Sequence, residues 1–324
     1  RRPHVQRPFD RNTETGMLGH LSKPWFVYRP SQLARRALRW TTATPGLHPL
    51  ETAWGATIVA DPSRTIGHSI VTTGVFDLAV SEVLARLIDR GATVVDAGAN
   101  VDYMTVLAAT ASGATGRVLA FEPHPELFAV LQQNIERYQS RFTTRPAAKH
   151  DAGPPAANVT PHNIALGDRD GVATLVVPTS FGSNDGTAHL AVDGTATPGV
   201  PVNVRRLDAV LGNTVVDVMK LDVEGFEAQV LMGAARALGE RRIRHVIFED
   251  HDVTQSGAAR VLRDTGYTLF AVGWTLNRLV LQPLAAGPLA HAYEAPSFIA
   301  TREPELVVER CRSTGWHVLR PNLV

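Results

Sequence analysis

The stretch ATVVDAGAN, residues 92–100, constrains the chain most: an apolar, β-branched run ends in a glycine turn and passes directly into the helical pattern YMTVLAATAS of residues 103–112. A short apolar run bounded by such a turn reads as a buried strand, and the glycine after it as the strand-to-helix corner. The unit then recurs. RVLAFEP (117–123) precedes the helix PELFAVLQQNIERY (125–138), and VTPHNIAL (159–166) ends at Gly167-Asp168. VVDVMKLDV (215–223) passes through Gly225 into FEAQVLMGAARAL (226–238), and HVIFED (245–250) leads to the helix GAARVLRDTG. YTLFAV (267–272) and PSFIAT (296–301) close the series. Regular βα order predicts an α/β fold, a mostly parallel sheet with helices on both faces.

The flanks are less regular. Residues 68–90 read as a strand, a turn at Gly74 and a helix with Val80, Val83, Leu84 and Leu87 on one face. Residues 172–178 read as an added strand, and 142–157, rich in Pro, Gly and Ala, as a loose loop. Residues 1–50 carry Arg1, Arg2, Arg7, Arg11, Arg29, Arg35, Arg36 and Arg39, with Ser31 placed to cap a short helix through Trp40. The division expected is an N-terminal extension over 1–64, a main α/β domain over 65–303 and a C-terminal tail over 304–324.

Composition bounds the function classes. With 44% hydrophobic and 19% charged residues the chain reads as globular. A formal net charge of +1 gives no overall pull toward nucleic acid or anionic membrane. No apolar run reaches the ~18 residues of a membrane span. The Arg-rich start is no secretory signal, and without an initiator Met a trimmed start is expected. The lone Cys311 excludes an internal disulfide and a cysteine zinc cluster, and a cytoplasmic setting is expected.

Ligands of open parallel sheets sit at the carboxyl ends of the strands. The turn Asp96-Ala97-Gly98-Ala99-Asn100 lies at such an end, where Gly98 allows close backbone approach and the next helix presents free N–H groups. A dinucleotide site needs G-x-G-x-x-G, but Asn100 and Tyr103 hold the second and third glycine positions, which argues against a nicotinamide oxidoreductase. A ligand without pyrophosphate, such as S-adenosyl-L-methionine (SAM), fits better. Glu122 ends the next strand and has lone pairs for both hydroxyls of a ribose. Lys220-Leu221-Asp222-Val223-Glu224-Gly225 ends a further strand. Its two carboxylates suit a general base, a metal-ligand pair or a clamp on an amino group. Glu249 and His251 add acid/base candidates one strand on.

The runs VVDAGANVDYMTVLAA, VLAFEPHPELFAVLQQNI, NIALGDRDG and VMKLDVEGFEAQVLMGA, in this order, resemble the FkbM-type methyltransferases over roughly residues 65–303. The combination is specific where each motif alone is not. The resemblance implies a Rossmann-like class I methyltransferase fold and methyl transfer from SAM to a hydroxyl of a sugar, glycolipid or natural product. It also implies that Asp96, Gly98 and Asn100 line the methionine part of SAM, that Glu122 binds the ribose, that Ala165 to Asp168 border the adenine, and that Asp222 faces the transferred methyl, with Tyr103 a further cofactor-binding candidate. Asp222, Glu224, Glu249 and His251 are then the catalytic candidates. A divalent metal such as Mg²⁺ on Asp222 and Glu249 is an alternative to a protein base. Residues 179–200, rich in small polar residues, are expected to form a lid over a small-molecule acceptor, with Asn184 as a contact.

In one respect the chain departs from the family, which has Gly where Asp102 stands. The expectation is an Asp102 turned outward, capping the helix that begins near Tyr103. A nucleic-acid methyltransferase is the rival that the arginines suggest, but only 6% of residues are aromatic, too few for base-stacking platforms. A SAM-binding protein without catalysis is the rival that Asp102 suggests.

Overall fold

The computed structural model describes residues 23–31, 44–143, 157–178, 188–191, 198–250, 253, 256–284, 297–321 and 323, with backbone alone at 141–143. Helix α1 (Pro24–Val27) precedes a hairpin of β1 (His48–Glu51) and β2 (Thr57–Ala60). Helices α2 (Thr65–Thr73) and α3 (Leu78–Leu87) lead into β3 (Thr93–Ala97), α4 (Tyr103–Ser112), β4 (Arg117–Phe121), α5 (Pro125–Thr143) and β5 (Asn158–His162). A group of short strands follows: β6 (Ala165–Leu166), β7 (Gly171–Val176), β8 (His189–Leu190) and β9 (Val200–Arg205). The chain continues through α6 (Leu207–Leu211), β10 (Val216–Leu221), α7 (Glu227–Gly233), α8 (Ala235–Gly239), β11 (Ile243–Glu249) and α9 (Gly257–Asp264). It closes with β12 (Thr268–Trp274), β13 (Leu279–Pro283), β14 (Ser297–Thr301) and α10 (Pro304–Cys311).

Eight strands form the main sheet in the order β13-β12-β14-β11-β10-β3-β4-β5. The run β11-β10-β3-β4-β5 is parallel, and β14 lies antiparallel between β11 and β12. Alternate residues of each strand go to opposite faces. Val94, Val118, Val218 and Ile247 pack with α3, α4 and α5, while Val95, Leu119, Met219 and Val246 pack with α6 to α9. Both faces are thus covered by helices, as the βα alternation predicts. From β3 the chain proceeds outward to β4 and β5, then returns to place β10 on the other side of β3. Its carboxyl-end crevice therefore opens at the β3/β10 boundary.

A second sheet, in the order β6-β9-β7-β8, flanks this crevice. The run expected as one strand over 159–166 divides between the two sheets, β5 in the large one and β6 in the small one. Residues 68–73, expected as a strand, are the second half of α2. Ile66 and Ile70 are buried one helical turn apart, Thr72 and Thr73 hydroxyls donate to carbonyls of His68 and Ser69, and Gly74 ends the helix at φ +83°. That tertiary fit outweighs the β propensity of the β-branched residues. Of the helix expected from Ser31 through Trp40, residues 32–40 lie outside the described residues.

The chain's last segment is locked to α3. Glu82 is fully buried and accepts from Arg86 Nε at 2.7 Å and from the backbone N–H groups of His317 and Val318 at 2.8 and 3.1 Å. Arg86 donates to the carbonyls of Arg310, Ser313 and Gly315. Burial alone would raise the Glu82 carboxyl, but the bonds from His317, Val318 and Arg86 hold it below its usual range. Trp316, Val318 and Leu319 complete the core on that face. Cys311 is buried and unpaired by any disulfide, as its solitude requires.

Candidate active site

The corner after β3 is built on a glycine for a steric reason. Gly98 has φ +79°, and a Cβ there would lie 1.8 Å from the backbone carbonyl oxygen of Asp222. No other residue lets the β3 turn touch the end of β10 so closely. The Gly98 and Ala99 N–H groups donate to the Phe121 carbonyl at 3.0 and 2.9 Å, joining the turn to β4 as well. Asn100, itself at φ +51°, donates its N–H to Glu122 Oε2 at 2.9 Å, and His124 N–H donates to Glu122 Oε1 at 2.8 Å. Glu122 is thus pinned at the end of β4, with one backbone donor on each oxygen and lone pairs to spare. Burial pushes it up to about 7, against the pull of those N–H groups and of Lys220.

These elements line a cavity of about 410 Å³. Gly98, Asn100, Tyr103, Glu122 and Ala165 stand on one part of its wall, and Asp222, Glu224 and Glu249 on another. The β8 residues His189 and Leu190 and the α2 residues Thr65 and Ser69 contribute further lining. Tyr103 lines the cavity, and its hydroxyl accepts from Trp54 Nε1 at 3.0 Å. Asp96 lies behind the turn, 1% exposed, accepting from the Thr105 hydroxyl at 2.6 Å and facing Lys220. Asp168 is exposed and is not part of the cavity wall. His251 and Asn184 lie outside the described residues, as does most of the expected lid, of which residues 188–191 and 198–200 are described.

Two residues that sequence reasoning missed belong to this site. Asp77 lines the cavity at φ +40° and caps α3, accepting from Val80 N–H at 3.0 Å. Its signal was an Asp just before a helical run. Burial raises it to about 6. Lys220 is 7% exposed near the end of β10. Its Nζ lies 3.1 Å from Asp222 Oδ2 and 3.6 Å from Asp96 Oδ1, and donates to the Gly98 carbonyl at 2.9 Å. A lysine inside a β-branched run was the available signal.

The acids crowd one another. Glu249 is pushed up to about 8, by burial first and then by Asp222, Glu224 and Asp77. Glu224, exposed by area but hemmed in by its neighbours and held at φ +53°, is pushed up to about 7 by burial, Asp222 and Glu227. Such groups exchange protons near neutral pH, the range in which acid–base chemistry operates. A second cavity of about 280 Å³ shares Asp222, Glu224 and Glu249 and is bounded beyond them by Glu227, Asp250 and the start of α9. Among the described residues no group of three or more His, Cys, Asp or Glu side chains is placed to hold a metal ion.

Asp102 overturns its expectation. It is fully buried at φ +92°, makes no capping bond, and neither carboxyl oxygen has a hydrogen-bond partner among the described residues. The left-handed backbone turns the side chain inward, so it reaches neither water nor the helix N–H groups. Burial, and secondarily Asp96, raises its carboxyl well above the usual range. It is also not among the residues that line the cavity, so it does not intrude on the space beside Gly98.

No helix among the described residues is long and apolar enough to cross a membrane. No curated protein matches the chain. Solved structures similar to it include a precorrin-6y C5,15-methyltransferase from Geobacter metallireducens, at 12% identity and TM-score 0.35, covering 68% of this chain and 86% of that one. A SAM-dependent O-methyltransferase from Thermotoga maritima shares 15% identity at TM-score 0.38, covering 79% and 77%. An rRNA methylase from Streptococcus thermophilus shares 12% at TM-score 0.36, covering 68% and 93%. The methyltransferase FkbM domain model matches residues 96–269, more than half of the chain, and takes in the β3 corner, Glu122 and the acids after β10. The chain belongs to the FkbM methyltransferase domain family and is a SAM-dependent methyltransferase.

Proposed function

We propose that the protein methylates a hydroxyl oxygen of a sugar, glycolipid or natural product in the 410 Å³ cavity. The observation that carries this reading is one cavity walled by both the Gly98 corner with Glu122 and the carboxylates Asp222, Glu224 and Glu249. The donor set fits SAM. Gly98 leaves the backbone bare at the β3 corner, Glu122 keeps lone pairs for two ribose hydroxyls, and Ile164 and Ala165 offer an apolar wall for a base. Asn100 and Tyr103 complete the donor side, and Asp222 is the group assigned to the acceptor.

When bound, SAM supplies a methyl group on a sulfonium that is already strongly electrophilic. The chain's own work is therefore alignment. Holding two reactants in register supplies roughly 7–11 kcal/mol of barrier lowering. A carboxylate that receives the hydroxyl proton adds about 10²–10⁴-fold. Asp222, with a third of its side chain exposed and anchored by Lys220, is the group placed to do so. The neighbouring Glu224 and Glu249, poised near 7 and 8, offer the next stations for that proton.

Calorimetry with SAM, S-adenosylhomocysteine and NAD tests the donor side. Both adenosyl ligands are expected to bind, and tight NAD binding would contradict the reading. Asp168 lies away from the wall, so the sharpest companion is Glu122→Ala. It should weaken SAM by about 1.5–3 kcal/mol, the range for hydrogen bonds to a charged group. A screen of sugar and polyketide hydroxyl acceptors by mass spectrometry tests the acceptor side, and methylation only at nitrogen, carbon or RNA would refute the oxygen assignment.

A further inference from the structure

We infer that Lys220 is the positioning residue of the donor corner, holding the Gly98 carbonyl and the Asp96 and Asp222 carboxylates to one ammonium group. This rests on the reading of the cavity as the SAM site. A lysine 7% exposed near the end of a strand needs compensation for its charge, and here it has three partners. Asp96 Oδ1 is 3.6 Å away, Asp222 Oδ2 3.1 Å, and the Gly98 carbonyl accepts at 2.9 Å. Those partners come from the end of β3, the corner itself and the end of β10, the three pieces that meet where the crevice opens. Beyond the last ladder pair, Leu221 with Ala97, the backbone adds one bond, from Asp222 N–H to the Ala97 carbonyl at 3.1 Å, and the lysine extends the tie to the corner itself.

Lys220 is also the one Lys or Arg among the described residues of the cavity wall, which carries five acids: Asp77, Glu122, Asp222, Glu224 and Glu249. With Asp96 behind the corner, these are the titratable groups that the ammonium offsets, on α3, β3, β4, β10 and β11. Removing the charge should loosen the corner and leave those acids to repel one another or to take up protons.

The test is calorimetric titration of the wild type, Lys220→Met, Asp96→Asn and the charge-balanced double variant K220M/D96N with SAM and with S-adenosylhomocysteine. The two ligands share an ammonium and a carboxylate and differ by the positive sulfonium, so the loss of a neighbouring cation favours SAM over S-adenosylhomocysteine. In each folded variant that lacks the lysine, S-adenosylhomocysteine should bind at least tenfold more weakly, against wild type for the single variant and against Asp96→Asn for the double. The ratio of SAM to S-adenosylhomocysteine affinity should move toward SAM in Lys220→Met. The double variant reports where K220M alone does not fold, because it leaves no unpaired carboxylate at residue 96. Binding of S-adenosylhomocysteine within threefold of the matching reference overturns the inference. So does equal weakening of both ligands by K220M accompanied by a lowered melting midpoint, the behaviour of a lysine that only supports the fold. If wild type binds neither ligand, the reading of the cavity fails instead.

Discussion

Asp102→Gly is expected to stabilise the protein by about 2–4 kcal/mol at pH 7. Two costs disappear together. A buried polar group without a partner costs about 1–3 kcal/mol. A non-glycine residue in the left-handed region costs about 1–3 kcal/mol more. Against these stands the extra chain entropy of glycine, about 0.5–1 kcal/mol. Asp102 carries both costs, at zero exposure and φ +92°. For a chain of this size the gain corresponds to roughly 3–6 °C in melting temperature. The pH dependence has a definite sign. The folded-state carboxyl lies well above the unfolded value, so the folded protein holds a proton that the unfolded chain releases. Wild-type stability at this site is full below about pH 4 and declines as pH rises toward the folded-state value. The advantage of the glycine variant should therefore grow from pH 4 upward. Asp102→Asn keeps the backbone strain and loses only the ionisation, so it should show the pH effect with a smaller gain. Urea unfolding of the three proteins at pH 5, 7 and 8.5 measures this, and a glycine variant no more stable than wild type at pH 8.5 would sink the idea. Because Asp102 is not part of the cavity wall, S-adenosylhomocysteine affinity should change by less than tenfold in the glycine variant.

Asp222→Asn should lower methyl transfer by about 10²–10⁴-fold, the contribution of a positioned general base. The substitution preserves shape, and an amide oxygen can still accept from Lys220 Nζ, 3.1 Å away in the wild type. Donor affinity should accordingly stay within about threefold. The measurement is single-turnover rate on any hydroxyl acceptor that the wild type methylates, beside calorimetric affinity for S-adenosylhomocysteine. Unchanged turnover would remove Asp222 from the chemistry. Loss of wild-type activity on adding EDTA, restored by Mg²⁺, would favour the metal alternative to a protein base. A fall in affinity matching the fall in rate would make the residue a donor-binding group.

Much of the sheet was legible because its strands are buried on both sides and read as unbroken apolar runs, each followed by a helical period. The Gly98 corner was legible for the same reason, since a glycine between such a run and a helix has few other uses. What escaped depends on contacts between distant segments. The strand character of residues 68–73 failed because Ile66 and Ile70 find the core formed by residues far along the chain. Lys220 stood in the Lys220–Gly225 run without a role of its own, and only the meeting of β3 with β10 shows three oxygens around its ammonium. Asp102 preceded a helix as a capping residue does, but a cap requires extended backbone and the corner imposes φ +92°. Asp168, read as bordering the adenine, projects from the turn after β6 into solvent, since that strand lasts only two residues before the chain turns outward.

The place of β14 has a consequence for how the molecule is made. It is the last strand among the described residues, yet it lies between β11 and β12 and pairs with both along five residues each. During synthesis β11 and β12 emerge first, with nothing yet to join them. Until residues 297–301 leave the ribosome, each presents an open edge of unpaired N–H and C=O groups, the kind of surface on which nascent chains aggregate. The Glu82 and Arg86 clasp on residues 310–318 arrives later still. A ribosome stalled before β14 would therefore hold a chain with its donor corner already synthesised and its sheet still split in two.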